Sequence, residues 1–229
     1  MNHVTLVVPQ GRSRLIHLYK FRGGFKNSNN HLVKHKPSTE VLEDMTWWKN
    51  ELAKEFVGIP ITLPPPPIDI HLYVDASESW GIGLWWNGKW LAWELKPGWR
   101  QDGRKIGWAE MTALLLSVVT VLHAGGYQNT HIIIHSDNKG VRGALKPSNL
   151  KSRGSAQNEI LRYIVRHIME DKIWITVEYV NTKDNPADGP SRGIFPPKEQ
   201  IYAKPPKLPK YLKPYLHNAI QHNDPRVHQ

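Results

Sequence analysis

Asn87-Gly88 lies between two β-rich runs, GIGLWW and KWLAWEL. This dipeptide readily takes the left-handed backbone of a two-residue hairpin, so the two runs are committed to an antiparallel pair. Just upstream, IDIHLYVDAS alternates Ile68, Ile70, Leu72 and Val74 with Asp69, His71, Tyr73 and Asp75, the period of a strand that ends at Asp75. A strand feeding a hairpin predicts a three-strand antiparallel meander. Beyond it the period changes. Residues 109–123, AEMTALLLSVVTVLH, are apolar almost all round and stop at Gly125-Gly126, as a buried helix with a glycine cap does. HIIIHSD (131–137) reads as a fourth strand and WITVEYV (174–180) as a fifth. Between them, residues 155–170 form an amphipathic helix carrying Ile160, Leu161, Ile164, Val165, Ile168 and Met169. The order β-β-β-α-β-α-β predicts an α/β fold: a mixed five-stranded sheet, the meander plus helix-connected strands, flanked by helices.

The flanks differ in composition. Residues 40–57 place Val41, Met45, Trp48, Leu52 and Phe56 at helical spacing, and Pro64-Pro65-Pro66-Pro67 then enforce an extended connection. The last 37 residues hold seven prolines and predict an extended arm with little regular structure. The chain therefore divides into a basic N-terminal arm (1–39), a helix and proline-rich connection (40–67), a central domain (68–193) and a basic, proline-rich C-terminal arm (194–229).

Charge follows the same division. The formal net charge is +10. Residues 1–39 carry seven Lys/Arg and no acid, residues 193–229 carry six against two acids, and residues 40–192 hold 17 bases against 18 acids. Basic arms around a near-neutral centre favour a polyanionic partner, nucleic acid first. The absence of cysteine excludes disulfides, thiolate metal sites and a cysteine nucleophile. No apolar run approaches the roughly 20 residues that cross a bilayer, and MNHVTLVVPQGRSR lacks the features of a secretory signal. The sequence thus predicts an intracellular protein, cytoplasmic or nuclear, with no membrane partner.

Four acids occupy special positions. Asp75 ends the first strand, Glu110 opens the buried helix, Asp137 ends the fourth strand and Asp188 follows the fifth. Acids placed at strand ends and a helix start can converge at one edge of a sheet. Two carboxylates ~5 Å apart repel by roughly 3 kcal/mol at an effective dielectric near 20, so such a quartet needs protons or cations. All-oxygen ligation suits Mg²⁺ or Mn²⁺, and a pair of such ions supports in-line phosphoryl displacement.

YVDAS with its GIG hairpin, WAEMTALL, HSDN and NPADGPSR, in that order, resemble the ribonuclease H domain of retroelement reverse transcriptases. Among these they are most similar to the type found with tyrosine-recombinase (DIRS-like) and related retrotransposons. The resemblance covers residues 68–193 and implies a ribonuclease H-like fold with two Mg²⁺ ions (or Mn²⁺). By the same resemblance Asp75 would bridge both ions, Glu110 and Asp137 would complete the ligand set, and Asp188 would hold the ion that activates water. The implied reaction hydrolyses the RNA strand of an RNA–DNA hybrid to 5′-phosphate and 3′-hydroxyl ends. A reverse transcriptase polymerase domain of the same polyprotein is an implied partner. The family's loop histidine has no counterpart between Glu178 and Lys183, and Gly189-Pro190 predicts a final helix that is short or missing. These departures keep a second reading open, a catalytically silent ribonuclease H-like module that binds nucleic acid or scaffolds a complex. An integrase on the same fold would need a glutamate where Asp188 stands.

Substrate contacts are read from position. Ser77 and Trp80 follow the first aspartate, and Asn138 follows Asp137, where it reaches a ribose 2′-hydroxyl or forms an Asx turn. Arg142, Lys146, Lys151 and Arg153 are candidate phosphate contacts, and Asn185 lies in the loop before Asp188. Trp108, beside Glu110, is a further candidate for the groove. Trp85 and Trp86 point to opposite faces of one strand, so one of them at most should face a core. His131 and His135, about 13 Å apart along a strand, cannot share a metal.

Overall fold

The computed structural model describes residues 8–25, 32–55, 57, 63–146, 150–152 and 154–228. Two helices, α1 (Ile16–Gly23) and α2 (Thr39–Leu52), precede strands β1 (Ile68–Ala76), β2 (Gly81–Trp86) and β3 (Lys89–Glu94). Helix α3 (Ile106–Ala124), strand β4 (His131–Ser136), helices α4 (Lys139–Ala144) and α5 (Ser155–Glu170), strand β5 (Trp174–Tyr179) and the single turn α6 (Asp188–Ser191) follow. The strands form one sheet in the order β3-β2-β1-β4-β5. The meander pairs are antiparallel, and β1–β4 and β4–β5 are parallel. Asn87 and Gly88 have φ of 48° and 78°, the paired positive values of a type I′ hairpin.

Both faces of the meander are covered. Ile82, Leu84 and Trp86 of β2 and Leu91 and Trp93 of β3 belong to the main core, in which α3 packs on β2 and α5 packs on α3. On the other face, Trp90 and Ala92 pack with Ile201 and Ile220, flanked by Trp80, Trp85 and Phe195. The expectation that only one of Trp85 and Trp86 faces a core is thus corrected: each faces its own. Trp108 is buried against Trp99 and Tyr215 and belongs to the core, not to a substrate groove.

Helix α3 spans 19 residues and is apolar enough, by length and composition, to cross a membrane. The expectation that no apolar run approaches that length is corrected to this extent. Here the helix lies in the core, with thirteen of its side chains buried.

Both arms take part in the core. Among its described residues the C-terminal segment has little regular structure beyond 3₁₀ turns, as its prolines predict, yet Leu208, Leu212, Leu216 and Ala219 enter the main core. Its prolines exclude helix and strand, but they do not exclude burial of the leucines between them. Carbonyl oxygens of Trp90, Ala92 and Glu94 on β3 accept from the N–H groups of Tyr202, Ile220 and His217 at 2.9–3.0 Å. At the other end, Ser13 and Leu15 are buried, and the Ser13 carbonyl accepts from Asn158 and Arg162 of α5. Helix α2 buries Val41, Asp44 and Trp48, whereas Met45 and Leu52 are about half exposed. Phe56 lies outside the described residues. The face predicted from apolar spacing is therefore rotated, because Asp44 is buried among Arg14, His17 and Arg162 at 2.8–3.2 Å.

Candidate metal centre

Parallel neighbours β1 and β4 end side by side, with Val74 opposite Ser136 in the register. The next residue on each is an aspartate, Asp75 and Asp137, so chain direction alone brings the two acids together. Helix α3 packs on β1 and β2 and contributes Glu110 from its second turn. Asp75, Glu110 and Asp137 each offer a carboxylate oxygen, and these atoms lie within 4.8 Å of one another. The three acids converge as their positions in the sequence predict.

Asp188 stands apart from this trio. It opens α6, is half-buried, and its Oδ1 accepts from Arg192 Nε at 2.9 Å. Its charge still reaches Asp75. Helix α6 has a single turn, in line with Gly189-Pro190, and sits directly over β2. A Cβ on Gly83 would fall 2.3 Å from the Ala187 carbonyl oxygen and 2.5 Å from the Ser191 nitrogen. The second glycine of GIG is therefore required by the close approach of α6.

Electrostatics in the trio follow from burial. Desolvation, then the charge of Asp75, pushes Glu110 up to about 8, against a hydrogen bond from Asn138. Asp75 rises to about 6, mainly by burial, with the charges of Asp137 and Asp188 adding to it and the Ser191 hydroxyl opposing. Glu110 Oε2 is buried with no hydrogen-bond partner. A buried carboxyl oxygen without a donor, beside two other carboxylates, suits a hard cation, which would take the place of the proton that burial favours.

Two hydroxyls complete the surroundings, and neither was singled out in the sequence. Ser191 Oγ donates to Asp75 Oδ2 at 2.5 Å, and Thr182 Oγ1 donates to Asp137 Oδ2 at 2.5 Å. Ser191 lies three residues after Asp188, so helical spacing offered a cue. Thr182 gave none, since only the fold brings its loop to Asp137.

The candidate substrate residues differ in their surroundings. Ser77 is buried and paired with Ser79, and Trp80 is half-buried against Gly193 and Phe195. Asn138 Oδ1 accepts from the N–H groups of Gly140 and Val141, capping α4 as an Asx turn does. Asn185 is buried and spends both ends of its amide internally, donating to the Val74 carbonyl and accepting from Ala187 N–H. Arg142, Lys146 and Lys151 are exposed, and Arg153 lies outside the described residues. His131 and His135 are engaged separately, with Thr176 and the Pro65 carbonyl, and with Asp69.

Comparison with protein-family models, with curated proteins and with solved structures finds no match to this chain. The sheet, the helices on it and the acidic trio are thus the observations on which function rests.

Proposed function

We propose that this protein is a divalent-cation-dependent endonuclease with a ribonuclease H-like fold, hydrolysing the RNA strand of RNA–DNA hybrids. The observation that carries the reading is the convergence of Asp75, Glu110 and Asp137 where β1 and β4 end, with one glutamate oxygen buried and unpartnered. The sheet order β3-β2-β1-β4-β5 and the resemblance over residues 68–193 support it.

Mg²⁺ or Mn²⁺ at such a site supplies charge neutralisation and water activation for in-line displacement at phosphorus. Asp75, Glu110 and Asp137 would hold the ions, with Asp188 as a fourth acid within electrostatic reach. In the hydrolysis, water oxygen bonds to phosphorus, the P–O3′ bond breaks, and the leaving oxygen takes a proton. Exposed Arg142, Lys146 and Lys151 provide positive charge for the hybrid's phosphates.

The test is cleavage of a labelled RNA–DNA hybrid beside duplex DNA and duplex RNA, with and without Mg²⁺. Hybrid-specific cleavage that needs the metal and vanishes in Asp75→Asn and Asp137→Asn is expected. A second reading, binding without cleavage, draws on the Arg192–Asp188 ion pair, which occupies one oxygen of the fourth acid. Hybrid binding with no cleavage in either Mg²⁺ or Mn²⁺ would establish that reading instead.

A further inference from the structure

We infer that Thr182 and Ser191 are positioning residues that set the two aspartates of the acidic centre for cation binding, an inference that rests on the function proposed above. Both hydroxyls come from one segment, residues 182–191, and each donates to the Oδ2 atom of a different aspartate. With one oxygen of each carboxylate held, rotation of that carboxylate is restricted and its other oxygen remains for a ligand. Groups that hydrogen-bond to metal ligands in this way orient them and tune their strength as donors.

The segment is built to hold these hydroxyls still. Asn185 ties it to β1 through the Val74 carbonyl and closes the turn into α6 by accepting from Ala187 N–H. Ser191 is completely buried, and its backbone rests on Gly83 at a distance that leaves no room for a side chain there. The Ser191 hydroxyl has one proton and two acceptors, Asp75 Oδ2 at 2.5 Å and the Asp188 carbonyl at 2.8 Å. Thr182 lies in a 3₁₀ turn, Thr182–Asp184, and is exposed, so a substitution there tests the hydroxyl with the core untouched.

The decisive measurement is Mn²⁺ affinity of the full chain by titration calorimetry, in parallel with steady-state hybrid cleavage. Thr182→Val keeps the shape and removes the donor. It should weaken Mn²⁺ binding about tenfold and lower kcat, with KM for the hybrid unchanged. Thr182→Ser should restore affinity to within about twofold of the parent, which a loop merely disturbed by substitution would not do. Ser191→Ala should give a loss similar to that of Thr182→Val. Parent protein that binds Mn²⁺ and cleaves, with Thr182→Val indistinguishable from it, overturns the positioning role alone. Parent protein that neither binds Mn²⁺ nor cleaves overturns the nuclease reading and this inference with it.

Discussion

Replacing Glu110 by glutamine isolates the cost of burying its charge. Folding moves this carboxyl from an ordinary 4.5 to about 8, through burial first and the neighbouring Asp75 second. A raised pKa means that the native state binds the proton more tightly than the unfolded chain does. Between pH 4.5 and 8 the native protein therefore carries more protons, and stability falls as pH rises through that window. At about 1.4 kcal/mol per unit, Glu110 accounts for a loss of about 3 kcal/mol between pH 5 and 7.5. Glutamine has the same shape and no charge to desolvate. In urea unfolding with chelator present, Glu110→Gln should lack that share of the pH dependence and be the more stable protein at pH 7.5. All other groups are shared by the two proteins, so the difference between their profiles reports the carboxyl of Glu110. Adding Mn²⁺ should then stabilise the parent at pH 7.5 and leave the variant nearly unmoved, since ligand binding to the native state adds free energy only where the site exists. Parallel pH profiles for the two proteins would refute the assignment of Glu110 as a buried, cation-seeking carboxylate.

Three further perturbations probe the frame around the site. Leu212→Ala removes a fully buried side chain contributed by the proline-rich segment and should cost about 2–5 kcal/mol in urea unfolding; a change below about 1 kcal/mol would mean that the segment only rests on the sheet. Asp44→Ala takes from Arg14, His17 and Arg162 the buried carboxylate they share and should cost about 3–5 kcal/mol. Limited proteolysis of that variant should cut first within residues 8–23, and an unchanged pattern would contradict the clamp. Gly83→Ala places a methyl group against Ala187 and Ser191 and should reduce hybrid cleavage through displacement of α6. Full activity in that variant would show that the approach of α6 to β2 is not required.

What the sequence made legible was whatever one element shows by itself. The hairpin at Asn87-Gly88, the alternation from Ile68 to Asp75 and the apolar run after Ala109 each carry their own signature, and the aspartates at the strand ends follow from chain direction. Contacts between distant segments were not legible. Asp44 breaks the apolar pattern of α2 because arginines 30 residues before it and 118 residues after it neutralise it. Helix α4 is six residues long, too short for periodicity to reveal, and exists because Asn138 caps it. Proline density in the last segment concealed the regularly spaced Leu208, Leu212 and Leu216, whose partners on the sheet appear only once the sheet has formed. The basic arms illustrate the same limit: Arg14 and Arg226 are spent on Asp44 and on Glu94 and Asp224 inside the protein.

Strand β3 is one edge of the sheet, and an open edge is a template on which another chain can add a strand. Here the tail occupies that edge piecemeal. Tyr202, His217 and Ile220 take three of the strand's carbonyls, and its two bridges run in opposite directions, parallel at Ile201 and antiparallel at Leu216. A segment that meets the edge in separate places, interrupted by prolines that have no N–H to offer, cannot itself become a sixth strand and present a fresh edge beyond it. The proline-rich tail therefore terminates the sheet, and removing it would leave a protein prone to self-association through β3.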